Sequence, residues 1–189
     1  SRGLGDVYKR QVQVLGPGLG QDGWGRARFE QGIGAAVPLV LDADGLNWLA
    51  QAPRHQDNWV LTPHPGEAAR LLGCTIAEVE GDRFAAVSRL QQRYGGVVLL
   101  KGAGSLICDG RRISLCDEGN PGMASGGMGD LLSGIIAALL AQGWSAGMAT
   151  RLGAVIHAEA ADLAAAEGER GMLASDLLPW IRRLVNPTQ

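Results

Sequence analysis

Four short runs with almost no polar residue, Val12–Leu15, Leu39–Leu41, Trp59–Leu61 and Val97–Leu100, restrict this chain more than any other feature. A strand with one face in water alternates apolar and polar residues. A run that is apolar at both parities needs cover on both faces. Between the runs lie stretches of helical character. Asp22 is placed to cap a helix reaching about Ala36, and a short helix follows Asp42 through Leu46 and Leu49. Glu67–Leu72 is stopped by Gly73, and Asp82–Tyr94 carries Phe84, Val87 and Leu90 on one face. Thr75 and Glu78 have the spacing of a capping box. Strands alternating with helices predict an α/β fold, with a mostly parallel central sheet and helices on both faces.

After Leu100 the period changes. Ser105–Cys108 and Arg112–Cys116 flank Asp109-Gly110, which predicts a hairpin with a two-residue turn and antiparallel strands toward one side of the sheet. Three helices are predicted to follow: Gly129–Ala141, Ala146–Ala166 and Ser175–Leu184, the last capped by Ser175. No linker, repeat or low-complexity stretch divides the 189 residues, so a single domain is expected. A net charge of −2 with scattered arginines speaks against a nucleic-acid partner held by phosphate attraction. The longest apolar candidate, Leu131–Leu140, is too short to cross a membrane, and the first residues lack a signal peptide's apolar core. Cys74, Cys108 and Cys116 are odd in number and lack metal-ligand spacing. They are expected as buried free thiols in a cytoplasmic protein.

In an open α/β sheet, ligands gather beyond the carboxyl ends of the strands. Each such end here carries unusual residues. Gly16-Pro17-Gly18-Leu19-Gly20 lets a ligand approach the backbone closely. Asp42 and Asp44 bracket the second strand end. They suit metal or hydroxyl binding, and equally a helix cap from Asp44 beside a solvated Asp42, which local chemistry favours. Thr62-Pro63-His64-Pro65-Gly66-Glu67 sets a histidine on a stiff backbone at the mouth of the sheet, with Glu67 in the first helical turn. His55 in a polar loop and His157 in an apolar helix carry no functional expectation. Lys101-Gly102-Ala103-Gly104-Ser105 joins an ammonium, two glycines and a hydroxyl, which suits a nucleotide phosphate or ribose. Lys101 and Lys9 are the only lysines among 17 basic residues.

The strongest segment is Gly119–Asp130, whose glycines run straight into a helix. Nine of the ten residues Leu131–Leu140 are Leu, Ile, Ala or Gly. Unpaired N–H groups at such a helix start, with the helix dipole, favour an anion. Asp130 stands at that end, where it either caps the helix or accepts a proton from a hydroxyl attacking a bound phosphate.

Gly126-Gly127-Met128-Gly129-Asp130, followed by Ser133-Gly134, resembles the signature of ribokinase-like small-molecule kinases. The longer string from Asn120 to Asp130 is similar to the NAD(P)H-hydrate dehydratase branch of that superfamily, the YjeF C-terminal domain family. The blocks at Gly16–Gly20, Asp42–Asn47, Thr62–Glu67 and Lys101–Ser105 agree with it in order. The resemblance implies a ribokinase-like fold and repair of hydrated NAD(P)H: ADP or ATP phosphorylates the added hydroxyl, and phosphate then leaves. It implies Asp130 as the base, with Gly18, His64 and Asp130 contacting the hydrate. Lys101, Gly102, Ala103, Gly104 and Ser105 would hold the adenine nucleotide beside Gly129, and the amides of Gly126, Gly127, Met128 and Gly129 would stabilise the transferring phosphoryl group. Mg2+ would accompany the nucleotide, its protein ligands unspecified, and a homo-oligomer, often a tetramer in this family, is implied.

On this resemblance residues 12–189 form the domain without its N-terminal part, and Ser1–Gln11 matches nothing expected of the strand before the first glycine loop. Two alternatives remain open: a ribokinase-like kinase of a vitamin precursor, and a nucleotide-binding fragment without turnover.

Overall fold

The computed structural model describes residues 12–186, in which six strands form one sheet in sequence order. β1 (Gln13–Leu15), β2 (Leu39–Leu41), β3 (Trp59–Leu61) and β4 (Val97–Leu100) are parallel. β5 (Ser105–Cys108) and β6 (Ile113–Cys116) continue the sheet antiparallel. The helices are α1 (Gly23–Ile33), α2 (Ala43–Gln51), α3 (Pro65–Leu72), α4 (Ile76–Gly81), α5 (Arg83–Tyr94), α6 (Met128–Ala141), α7 (Ala146–Ala165) and α8 (Leu178–Leu184). The expectation for Ser1–Gln11 lies outside the described residues. No helix among those described is long and apolar enough to cross a membrane.

Topology explains the layering. Right-handed crossovers that step across a sheet in one direction all leave by the same face. Accordingly α1 to α5 cover one face, packing Phe29, Leu46, Leu49, Leu71 and Leu90 on Leu39, Leu41, Trp59 and Leu61. α6 and α7 cover the other, packing Leu132, Ile136, Ala154 and Ala158 on Val40, Val60, Val97 and Leu99. The period of two within Leu39-Val40-Leu41 sends its side chains to both cores, which is why the run needs no polar residue. The turn that precedes α8 and α8 itself pack on the last part of α7, where Leu177, Met172 and Trp180 cluster with Ala160, Ala161 and Ala164.

The helix stops and caps follow the sequence. Asp22 accepts from Gly25 N, Gly73 ends α3 in the left-handed conformation, and Thr75 and Glu78 form the capping box of α4. α1 nevertheless stops at Ile33, short of Ala36. Several expectations need correction. α4 is a separate helix, and Phe84 is exposed on α5 while Val87 and Leu90 are buried. The hairpin turn has four residues, Asp109–Arg112, because the Asp109 carboxylate accepts from Arg111 N and Arg112 N and stabilises the wider loop. Ser175 caps nothing: Ala174–Leu177 is a 3₁₀ turn, and Asp176 accepts from Leu173 N instead. Cys108 and Cys116 lie at opposite ends of the hairpin ladder, paired with Ile113 and Ser105. All three cysteines are free thiols, with Cys74 only half-buried.

Candidate functional site

The carboxyl edge of the parallel strands is stitched together beyond the strands themselves. Asp42 N donates to Leu15 O (3.1 Å), Thr62 N to Leu41 O (3.1 Å) and Lys101 N to Pro63 O (2.8 Å). Asp42, Thr62 and Lys101 therefore stand side by side. The Asp42 carboxylate is only 1% exposed. It accepts from Lys101 Nζ at 2.8 Å, Ser133 Oγ at 2.9 Å and Ala43 N at 2.9 Å. Thr62 Oγ lies 3.5 Å from Ser133 Oγ and extends the network.

This reverses the reading of the two aspartates. Asp42, not Asp44, caps α2, and it is buried rather than solvated. Asp44 accepts from Gly20 N and from the Gln21 and Asn47 side chains, tying down the first glycine loop. Close packing forces local strain. Ala43 holds a φ of 46°, the only positive value at a non-glycine residue among those described. A Cβ on Gly16 would lie 1.7 Å from Asp42 O, so only glycine fits where that loop crosses the end of β2.

Beside the Asp42–Lys101 pair opens a cleft of about 610 Å3. One wall is the whole loop Lys101–Ser105; the other includes Gly119, Asn120, Ser125 and Gly129. The cleft thus gathers the lysine loop and the start of α6, which the sequence separates. A Cβ on Gly129 would sit 3.2 Å from Lys101 Nζ, a measure of how closely they approach. Gly126, Gly127, Gly18, His64 and Asp130 do not line the cleft. These five are exposed.

α1 to α5 and α7 each receive a side-chain cap, and α6 and the short α8 do not; α6 alone of these two opens on a glycine, its N-cap Gly127 in the left-handed conformation. Its first amides have no intrahelical acceptor and are free for an anion. Asp130 is the acidic residue of that first turn. It does not cap the helix, which leaves its carboxylate in solvent. At the end of β3, His64 caps α3: Nδ1 accepts from Gly66 N at 3.0 Å, and Glu67 Oε2 accepts from His64 N at 2.8 Å. With Nδ1 accepting, the neutral ring carries its proton on Nε2, 3.5 Å from Glu67 Oε1.

Among the cleft residues that sequence reasoning missed, His157 and Cys116 carry chemistry of their own. His157 is 5% exposed, and its Nε2 has no hydrogen-bond partner among the described residues. Burial, with the nearby Lys101 ammonium, pulls its pKa down to about 4. In an alanine-rich helix it reads as a core histidine, and nothing local reveals that β4 delivers Lys101 to it. Cys116, beside it in the lining, donates to Glu118 Oε2 at 3.2 Å. Burial and that carboxylate push the thiol up to about 12, so it stays protonated and unreactive.

The His157 shift makes stability depend on pH. Its folded value lies below its ordinary 6.5, so the unfolded chain takes up the proton first as pH falls. The contribution is whole above the ordinary value and is lost as pH falls toward the folded one. His157→Gln is expected to remove about 2–3 kcal/mol of the stability that wild type loses between roughly pH 7 and pH 4.5. Denaturant melts at several pH values measure this, and parallel profiles for the two proteins would contradict it.

Fold and site first define a class: a ribokinase-like α/β protein whose uncapped, glycine-opened helix meets a lysine-bearing strand end. Within that class, the chain belongs to the NAD(P)H-hydrate dehydratase family, whose model matches residues 4–183. It is 57% identical to the bifunctional NAD(P)H-hydrate repair enzyme of Vibrio cholerae over 174 residues, 92% of this chain and 35% of that protein. The chain thus spans about a third of the length of its bifunctional bacterial relatives. It is 42% identical to the ADP-dependent (S)-NAD(P)H-hydrate dehydratase of Neisseria meningitidis, covering 95% of this chain and 66% of that one. The Bacillus subtilis ADP/ATP-dependent NAD(P)H-hydrate dehydratase co-crystallised with ATP and Mg2+ superposes with a TM-score of 0.82 at 28% identity, over 92% of this chain and 63% of that one.

Proposed function

We propose that this protein dehydrates (S)-NAD(P)H hydrate to NAD(P)H at the expense of ADP or ATP. The observation that carries the proposal is the continuity of the cleft. Its wall runs from the Lys101–Ser105 loop to Gly129, one residue from the carboxylate of Asp130. The nucleotide occupies the cleft against Lys101, Gly102, Ala103, Gly104, Ser105 and Gly129, with its terminal phosphate at the amides of Gly126–Gly129. The hydrate lies outside the cleft, against Gly18, His64 and Asp130. Asp130 takes the proton of the added hydroxyl as that oxygen attacks the terminal phosphorus, and the shortened nucleotide leaves. The phosphate ester then loses phosphate from the ring carbon and a proton from the neighbouring carbon, which restores the double bond.

Among the described residues no three His, Cys, Asp or Glu side chains converge on a metal-sized site. An ion carried in on the nucleotide phosphates fits this arrangement, since Mg2+ keeps most of its ligands from water and phosphate. A cytoplasmic setting accords with three free thiols. A homo-oligomer would have exposed apolar side chains to cover near α8, where Leu173, Leu178 and Val185 are each more than half exposed.

The test is recovery of the reduced-nicotinamide absorbance from purified NADH hydrate with Mg2+ and ADP, then ATP. A nucleotide-dependent rise with release of inorganic phosphate is expected. A stable phosphate ester from another alcohol would point to a vitamin-precursor kinase, and nucleotide binding without turnover to a binding fragment; either would overturn the proposal.

A further inference from the structure

A cation outside the cleft is planted on the backbone of the lysine loop. Arg83 is the first residue of α5, where Asp82 caps the helix by accepting from Ala85 N at 2.9 Å. Its guanidinium reaches the end of β4 and spans three carbonyls. Nη1 donates to Ala103 O at 2.6 Å, and Nη2 to Leu100 O at 3.4 Å and Lys101 O at 3.3 Å. A Cβ on Gly102 would lie 2.6 Å from Nη2, and Gly102 has a φ of +150°, so glycine is what lets the guanidinium close on the loop. Among the described residues Arg83 makes no salt bridge, whereas the Lys101 ammonium is paired with Asp42. Among the described residues the charge of Arg83 is thus met by carbonyl oxygens and by no carboxylate. Arg83 does not itself line the cleft.

We propose that Arg83 is a positioning residue for the nucleotide. It holds Leu100–Ala103 in the shape that receives the phosphates, and it adds positive potential there without touching the ligand. A loop with two glycines has little intrinsic preference for one conformation, so an external brace decides which it keeps. A planar fork suits three carbonyls; a point ammonium does not. The proposal rests on the cleft being the nucleotide site. It predicts an effect confined to the nucleotide side of the reaction.

The experiment uses Arg83→Ala, Arg83→Lys and Lys101→Ala, with ADP affinity measured by calorimetry and KM measured separately for ADP and for NADH hydrate. Arg83→Ala is expected to weaken ADP about tenfold or more, leave the KM for hydrate unchanged and keep kcat at saturating ADP near wild type. Methylguanidine added to Arg83→Ala is expected to restore part of the ADP affinity, and Arg83→Lys to fall between wild type and Arg83→Ala. Unchanged ADP affinity in both Arg83 variants, with Lys101→Ala weakened, would overturn the role of Arg83 while leaving the nucleotide site in place. A parallel loss of hydrate KM, kcat and melting temperature would reduce Arg83 to a structural brace and overturn it as well. Unchanged affinity in Lys101→Ala would instead remove the assignment of the cleft on which the proposal rests.

Discussion

Asp130→Asn is expected to lower turnover of NADH hydrate by roughly 10²–10⁴-fold, the range lost when a general base is removed, while ADP still binds. The carboxylate is exposed in the first turn of α6 and does not line the cleft beside Lys101, so an amide in its place disturbs neither the fold nor the cleft walls. An amide cannot accept the hydroxyl proton, so the loss falls on kcat and not on ADP affinity. Initial rates at saturating ADP, alongside calorimetric ADP binding, separate the two. Turnover near wild type in Asp130→Asn would move the base elsewhere. Equal loss of binding and rate would make Asp130 a nucleotide contact.

The second large effect is expected at the Asp42–Lys101 ion pair, buried on its carboxylate side. Asp42 is almost wholly enclosed, and its side chain satisfies Lys101, Ser133 and the start of α2 at once. Asp42→Ala leaves the Lys101 ammonium without its partner and two further donors, Ser133 Oγ and Ala43 N, without an acceptor. A cost of about 2–4 kcal/mol in unfolding free energy is expected, somewhat below the penalty for breaking a fully buried pair from one side, because the stranded Lys101 ammonium keeps 22% of its surface at the cleft. Lys101→Met in the same chain removes the stranded charge, so the double variant is expected to be more stable than Asp42→Ala alone and still to bind ADP weakly. A double-mutant cycle by denaturant unfolding gives the coupling. A cost of about 1 kcal/mol or less for Asp42→Ala would mean the pair behaves as an exposed one. The local strain at Ala43 fits this picture, since a left-handed alanine persists only where its surroundings hold it.

Much of the scaffold was legible in the sequence because it rests on local rules. The runs at Leu39–Leu41, Trp59–Leu61 and Val97–Leu100 are strands with those bounds, and Asp22, Gly73 and Thr75 do the capping or stopping their types favour. Errors came where two local options compete closely. At Asp109-Gly110 the aspartate side chain chose a four-residue loop, and at Ser175 a 3₁₀ turn intervenes, so that α8 starts at Leu178 with no side-chain cap. The candidate loops were visible as glycine-rich strand ends. Their partners were not: Asp42 looked solvated and His157 looked inert.

By itself the sequence determined the alternation of strands and helices, the edge of the sheet that carries the polar loops, and the open glycine start of α6. Each depends on residues within a few positions of one another. Only the tertiary structure decided which polar groups meet. Lys101 finds Asp42 across 59 residues and Ser133 finds it across 91, while Arg83 reaches carbonyls that belong to another element. Those encounters are set by the direction of each crossover and the depth at which each helix packs. Burial then gives them their energy, by removing the water that would otherwise have satisfied each group separately.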